Sequence, residues 1–160
     1  MAAVYIGRWV ISPDVARTRL AHSRLTRSGV AECSCDPCRN FEAYRAELLR
    51  GPLGFLLDTL GVDPPWEVEA IHYGRMGANR HAYSAAFHVV GELLAGGAAW
   101  RAVDGRNDLK TADFDELAPG LSVGCHTDCQ LVREPFLDLP LIQVDIVVEL
   151  PWVVNLPEPE

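Results

Sequence analysis

The stretch LIQVDIVVELPWVV, residues 141–154, carries the clearest indication of the fold. Apolar residues recur at every second position from Ile142 to Trp152, with Gln143, Asp145 and Glu149 standing between them. Because successive side chains of an extended chain point to opposite faces, one face of this segment is apolar and the other polar. The pattern predicts a half-buried antiparallel strand, with one face on the core and the other towards water.

Further strand segments lie on both sides of a helical region. They are rich in β-branched and aromatic residues or alternate in polarity, which is typical of strands. These segments are 4–11, 66–73, 82–94 and 121–133. A polar loop is expected around 104–108, between the third and fourth of them.

Two consecutive helices are predicted in the first third of the chain. Asp36-Pro37 is typical of a helix start, with the aspartate as N-cap and the proline where a missing N–H costs nothing. An apolar stripe then extends to Arg50, and a second helix covers 53–60 before Gly61, a typical left-handed C-terminal stop. The order of segments predicts an α+β fold: a curved antiparallel sheet of about five strands, with two short helices packed on one face.

One domain over 1–156 is expected, because chains of roughly 100 to 200 residues commonly form a single core. The last residues, 157–160, are short and polar and are predicted to be a disordered tail. Strands and helices do not alternate along the chain, and no glycine-rich phosphate loop follows a predicted strand. A doubly wound nucleotide-binding fold is therefore disfavoured.

The charge balance narrows the classes of partner. With 14 basic and 22 acidic residues the formal net charge is -8, which repels phosphate backbones and anionic lipid and favours a basic partner. Neither a nucleic acid nor a membrane is therefore expected. The first ten residues lack the pattern of a secretion signal, and the five cysteines cannot all pair within one chain. A cytoplasmic location is predicted.

Two cysteine clusters are the main chemical feature of the sequence. The first places three thiols within six residues at the start of the first predicted helix: Cys33, Cys35 and Cys38. The partial positive charge of a helix N-terminus favours thiolate over thiol, and thiolates are what metals and redox partners need. The second cluster lies in a later predicted strand and consists of Cys125, His126 and Cys129.

Three interpretations of these clusters stay open. A structural zinc site would draw four sulfur or nitrogen ligands from both clusters, although only Cys35 and Cys38 have the standard C-x-x-C spacing. A thiol-based redox sensor or a metal-dependent enzyme would use Cys35 and Cys38, although the βαβ setting of thiol oxidoreductases is absent. In the third interpretation the cysteines simply pack, because free cysteine is among the most buried residue types.

The segment CSCDPCRNFEAY, residues 33–44, resembles the C-x-C-x-x-C-x-N-[FY] segment of a group of small uncharacterised bacterial proteins. The likeness continues patchily through 55–64, 87–91 and 148–153. The resemblance implies a bacterial α+β domain and no established activity. Within the segment, Asn40 and Phe41 are interpreted as helix packing and a backbone hydrogen bond rather than as chemistry.

A binding role is expected rather than catalysis. No nucleophile elbow, zinc-protease helix, phosphate loop or calcium loop occurs in the sequence. His72 and His88 lie on adjacent predicted strands and could converge on one face, where packing is the expected role. The leading hypothesis is a non-enzymatic domain that binds another protein or a small ligand, with zinc in the cysteine site; the alternative is the redox sensor or metal-dependent enzyme.

Overall fold

The computed structural model describes residues 2–103 and 106–160, and over 101–103 and 106–112 it describes the backbone only. The helices of these ranges are α1 (Val15–Ser23), α2 (Gly29–Cys33), α3 (Asp36–Leu48) and α4 (Pro52–Leu60). The strands are β1 (Val4–Ile6), β2 (Trp9–Pro13), β3 (Glu69–Gly77), β4 (Arg80–Ala95), β5 (Trp100–Val103), β6 (Arg106–Ala112), β7 (Asp115–Ala118), β8 (Leu121–His126) and β9 (Leu141–Leu150). Positions 104 and 105 of the predicted polar loop lie outside the described residues. None of the described helices has the length and apolar character needed to cross a membrane.

Seven antiparallel strands form one open sheet around the long strand β4. Their order is β1-β2-β4-β9-β8-β7, and β3 also pairs with β4. Strand β9 runs beside β4 with Ala85 opposite Ile146. Along the other side of β4, β3 pairs with its first half and β2 with its last residues. Strands β5 and β6 form a separate two-stranded sheet.

Helix α1 completes the edge of β4 between its two pairing partners. Thr18 Oγ1 accepts a hydrogen bond of 3.0 Å from the backbone N–H of Val90. His22 Nε2 lies 2.8 Å from the backbone oxygen of His88. Since buried backbone groups need partners, these side chains replace the strand that is missing there. Helix α1 therefore lies at the sheet edge.

The apolar core lies between one face of the sheet and helices α2, α3 and α4. The sheet and the helices contribute side chains that are at most 2% exposed, among them Tyr83, Phe87, Val89, Ile142, Val144, Ile146, Phe41, Leu53, Leu57 and Leu60. Full burial of one such side chain contributes about 1.5–3 kcal/mol. This face is the apolar one that the alternation in 141–154 predicts.

The predicted α+β class with an antiparallel sheet is confirmed, but two details are wrong. The sheet has seven strands instead of about five, and the described chain has four helices instead of two. The segment 4–11 is a hairpin rather than one strand, because the chain turns at Gly7 with φ of +56°. Helix α1 has no apolar stripe to reveal it; it is capped by Asp14, whose side chain accepts the N–H of Arg17 at 3.0 Å.

The two predicted helices are found close to their expected positions. Helix α4 ends at Gly61, which has the predicted left-handed conformation with φ of +82°. Helix α3 begins at Asp36 with Cys35 as its N-cap, so the prediction of Asp36 as N-cap is wrong by one residue. Cys35 is extended and its side chain makes no capping hydrogen bond. Its thiol interacts instead with the side chains of Cys33 and Cys38.

The C-terminal end of the chain contacts strands β3 and β4. Glu158 Oε1 lies 2.8 Å from His81 Nε2 and 3.4 Å from Arg75 Nε. His81 also packs against Trp152, with ring centroids 5.3 Å apart. Residue 158 belongs to the predicted disordered tail 157–160, and disorder of that tail stays a prediction. The single-domain assignment over 1–156 stays a prediction.

Candidate functional site

The turn between α2 and α3 brings the first cysteine cluster together. Helix α2 ends at Cys33, and Ser34 then adopts a left-handed conformation with φ of +54°, so the chain reverses within two residues. Cys35 caps α3, and Cys38 lies in its first turn. The three sulfur atoms all lie within 4.8 Å of one another. Three sulfurs on tetrahedral zinc lie about 3.8 Å apart, since Zn–S bonds are about 2.3 Å long.

A buried ion pair holds this turn against the sheet. Arg45 of α3 donates to both carboxylate oxygens of Glu67, at 2.7 and 3.1 Å, and the Glu67 side chain is 0% exposed. Arg45 also donates to Ser28 Oγ at 2.9 Å, which is the cap of α2. Arg45 thus links α3 to the cap of α2 and to Glu67, and removing one partner would be destabilising because it leaves an unpaired buried charge.

Asn40 anchors α3 to the C-terminal segment. Its Nδ2 donates to the backbone oxygen of Pro151 at 3.0 Å, and its Oδ1 accepts the N–H of Val153 at 2.7 Å. Phe41 is 1% exposed and packs in the core. The interpretation of these two residues as a backbone hydrogen bond and helix packing is confirmed. Their place after the cysteines therefore has a structural reason.

The three thiols differ in their electrostatics. Cys33 is exposed, and its pKa lies below the ordinary value of 9.0 because it accepts a hydrogen bond from the backbone N–H of Cys35, then from the side chains of Cys35 and Cys38. Cys38 is buried, and burial raises its pKa, with the neighbouring Cys35 and Cys33 side chains raising it further. One exposed, acidified thiol thus stands beside one buried thiol.

The second cysteine cluster is divided between the two faces of the sheet. Cys125 of β8 is 0% exposed in the apolar core, and burial raises its pKa to about 12. The next residue, His126, points to the opposite face, as successive strand residues do. Cys129 is half-buried in the following loop, and burial raises its pKa to about 11.

Among the described residues, one group of three or more potential ligands lies within metal-binding distance, and it consists of Cys33, Cys35 and Cys38. No described contact joins Cys125, His126 or Cys129 to that group. The zinc site built from both clusters therefore stays a prediction. The first cluster by itself is a group that could hold a metal ion.

A cavity of about 550 Å³ opens on the polar face of the sheet. It is bounded by β3, β4, β9, Trp100 of β5 and the loop that follows β8. The polar and aromatic side chains that matter for its chemistry are Glu69, Tyr73, Trp100, His126, Gln143 and Asp145. Cavities of roughly 300–1,000 Å³ are the usual size for small-molecule sites.

Asp145 is the centre of a hydrogen-bond network in the floor of this cavity. Its Oδ2 accepts from Trp100 Nε1 at 2.6 Å and lies 2.7 Å from His126 Nε2. Its Oδ1 accepts from Gln143 Nε2 at 2.9 Å. Asp145 is 4% exposed, His126 5% and Gln143 3%. The cavity floor is thus polar and buried, and hydrogen bonds among its side chains keep them in place.

Glu69 and Tyr73 form the more open wall of the cavity. Burial raises the pKa of Glu69, and the nearby Asp145 raises it further. The Tyr73 hydroxyl lies 2.9 Å from Ser84 Oγ, which fixes the ring at the mouth. Glu69 also lines a groove that contains Cys33, so it stands between the cavity and the cysteine cluster.

Sequence reasoning missed this cavity and placed the histidines incorrectly. His72 and His88 do not converge: His72 lies opposite Tyr83 on the helix-covered face, while His88 points to the other. His72 Nε2 instead lies 2.9 Å from His81 Nδ1. The alternation in 141–154 does mark Gln143 and Asp145 as one polar face, but their partners Trp100, His126 and Gln130 lie elsewhere in the chain.

No protein-family model, curated protein or solved structure matches the chain. The chemistry of the two sites must therefore be argued from their own side chains. The cysteine group offers soft sulfur ligands near the protein surface. The cavity offers buried acceptors and aromatic walls.

Proposed function

We propose that the protein is a non-enzymatic binding domain in which Cys33, Cys35 and Cys38 hold a zinc ion. The single observation that carries the metal part is the approach of three sulfur atoms to within 4.8 Å of one another. Zinc suits them because thiolate sulfur is among its preferred ligands, and because its filled d shell imposes no geometric preference of its own. The ligand-binding part is supported by the cavity of about 550 Å³.

A zinc ion on these thiols would tie the end of α2 to the start of α3. Within the described group the protein supplies three ligands, so a water molecule or a further group would complete a tetrahedral site. All five cysteines are free thiols. Free thiols suit a reducing compartment, which supports the proposed cytoplasmic location.

Metal analysis tests the zinc centre. Untagged protein, purified without added metal, should contain about one equivalent of zinc, which a structural site retains through purification. The variants Cys33→Ser, Cys35→Ser and Cys38→Ser should each lose most of it, because each removes one sulfur ligand. Cys129→Ser is the matched control, since this thiol lies outside the group, and it should keep its zinc. A protein with no zinc that also fails to bind added zinc would refute the metal part.

The redox alternative has one observation in its favour. The sequence assigns this alternative to Cys35 and Cys38, but Cys38 is buried, whereas Cys33 and Cys35 are both exposed and their sulfurs lie within 4.8 Å of each other. We therefore propose Cys33 and Cys35 as the redox pair. Two such thiols can form a disulfide with hydrogen peroxide as the oxidant: one S–S bond forms, the O–O bond breaks, and the two thiol protons leave in two water molecules. Peroxide should then remove two thiols from the native protein. In Cys33→Ser the remaining thiol of the pair, Cys35, should form no such disulfide. Zinc-loaded protein that resists this oxidation would favour the metal centre.

A further inference from the structure

We propose that the cavity on the polar sheet face binds a small organic cation: a molecule with a primary ammonium or amidinium group attached to an apolar ring. This deepens the ligand-binding part of the proposed function, on which it rests, and it does not depend on the metal.

Two described carboxyl groups of the cavity, Asp145 and Glu69, retain hydrogen-bond acceptor sites with no described donor. A carboxylate can accept about four hydrogen bonds, and Asp145 receives three, from Trp100, His126 and Gln143. The Glu69 side chain is partly buried, and it forms no hydrogen bond or ion pair with a residue in the described part of the chain. A ligand that fills this space must therefore bring N–H groups, and a charged donor forms the stronger bonds.

The charge of the walls agrees with a cationic ligand. Three carboxyl groups line the cavity: Glu69, Asp128 and Asp145. Burial raises the pKa of Glu69, and the charge of Asp145 raises it further. No lysine or arginine side chain lines the cavity in the part whose side chains are described. A cation placed between Glu69 and Asp145 would relieve their mutual repulsion. The net charge of -8 would also attract such a ligand.

The aromatic walls determine the rest of the ligand. The indole of Trp100 forms one side, held at 5.3 Å from the ring of Phe114 in an edge-on contact. Tyr73 and Ile71 stand at the mouth and remain 55% and 42% exposed. Apolar side chains left open beside a cavity can cover an apolar ligand body, and an indole face attracts a cation. An ammonium group with a ring attached matches both the carboxyl groups and the apolar walls of the cavity.

The site is built before any ligand arrives. Gln143 uses both ends of its amide: Nε2 donates to Asp145, while Oε1 accepts the backbone N–H of Gln130 at 2.7 Å. The floor is thereby tied to the loop that forms the far wall. Since the polar groups are already oriented, binding requires little further ordering of the protein.

Three probes of nearly the same size and shape test the proposal: phenethylammonium, 2-phenylethanol and 3-phenylpropanoate. The readout is the indole N–H signal of Trp100 in nitrogen–proton correlation spectra, assigned with Trp100→Phe. We expect the ammonium probe to bind at least about tenfold more tightly than the alcohol, a preference of roughly 1.4 kcal/mol, and the carboxylate to cause no saturable shift. The Glu69→Gln variant should lose most of this preference while its spectrum stays folded.

The matched control is Glu92→Gln, which removes an exposed carboxylate on β4 away from the cavity and should leave all three affinities unchanged. Equal affinity for the alcohol and the ammonium probe would overturn the cation assignment and leave the ligand-binding part standing. No saturable shift with any probe at about 10 mM would overturn both. A preference that survives in Glu69→Gln and disappears in Glu92→Gln would place the cation site elsewhere and also overturn the proposal.

Discussion

The two faces of the sheet are both buried, but by different means. On the helix-covered face, Ile142, Val144 and Ile146 of β9 are 0% exposed and belong to the apolar core. On the opposite face, Gln143 and Asp145 of the same strand are 3% and 4% exposed, yet they are polar and hydrogen-bonded. The alternation of a strand thus indicates polarity, and it does not indicate exposure.

This difference determines what each face can do. The apolar face gains stability in proportion to the area that it buries and offers a ligand nothing specific. The polar face costs stability wherever a group lacks a partner, and it offers oriented acceptors next to a cavity. We therefore expect substitutions on the first face to change stability and substitutions on the second to change binding as well.

The largest effect is expected at Ile146, on the helix-covered face. Ile146→Ala should lower the free energy of unfolding by about 2–5 kcal/mol, because a fully buried side chain is replaced by a cavity. Urea unfolding followed by far-ultraviolet circular dichroism measures the loss. Val147→Ala serves as the control, since this neighbour is only half-buried on the other face. Equal losses for the two variants would contradict the assignment of faces.

A smaller effect is expected at Asp145, one residue earlier. Asp145→Asn should cost about 1–3 kcal/mol, because the amide has one acceptor oxygen where three donors now converge on a carboxylate. The same urea experiment gives this value, and the Trp100 indole signal should shift as its 2.6 Å hydrogen bond weakens. Glu116→Gln, at an exposed carboxylate, should change neither quantity. An unchanged stability in Asp145→Asn would show that the network contributes nothing to folding.

Two buried histidines predict how stability depends on pH. Burial lowers the pKa of His22 and of His88 below 6.5. The backbones of His88 and Pro64 oppose this shift in His22 more than Asp63 does, and Gln143, the Gln130 backbone and Asp145 oppose it in His88. Within the described structure, His22 Nδ1 and His88 Nε2 have no hydrogen-bond partner. The folded state takes up these protons less readily than the unfolded state. The contribution of the neutral histidines to the free energy of unfolding should therefore be fully present above pH 6.5 and should fall as the pH drops below it.

The slope of that loss is at most about 1.4 kcal/mol per pH unit for each histidine that titrates. Urea unfolding between about pH 7.5 and 5.5 measures it, before most carboxyl groups titrate. His72 also has its pKa lowered by burial and by His81, so it adds a loss of the same sign. The double variant His22→Gln and His88→Gln should have a flatter profile than the original protein. A stability that rises on acidification would refute the assignment.

The smallest effect is expected at an exposed ion pair remote from both faces. Arg19 Nη2 lies 3.7 Å from Asp58 Oδ1, and both side chains are largely exposed. Arg19→Ala should change the free energy of unfolding by no more than about 0.5 kcal/mol, because solvent screens such pairs. Thermal unfolding at low and high salt measures the change. A loss as large as that of Asp145→Asn would mean that this pair is more than a surface contact.

The parts that were predicted correctly depend on residues close together in the chain. Helices α3 and α4 are predicted from a proline near the start of each and an apolar stripe along each, and Gly61 predicts the end of α4. The cysteine group is also local, since Cys33, Cys35 and Cys38 span six residues and one turn brings their sulfurs together. Helix α1 was not recognised because its role is to complete the β4 edge, which depends on where β2 and β3 pair.

Local patterns in the sequence predict the α+β class, the apolar face of β9 and the first cysteine group, because periodicity, capping and short spacing act over a few residues. The tertiary structure alone decided the cavity, since Asp145 meets Trp100 and His126 only through the pairing of β8 with β9 and the position of β5. It also separated Cys125 from His126, because a strand sends neighbours to opposite faces and only the sheet decides what lies on each. Strand register and strand order depend on contacts between residues far apart in the chain, and a local sequence pattern holds no information about those contacts.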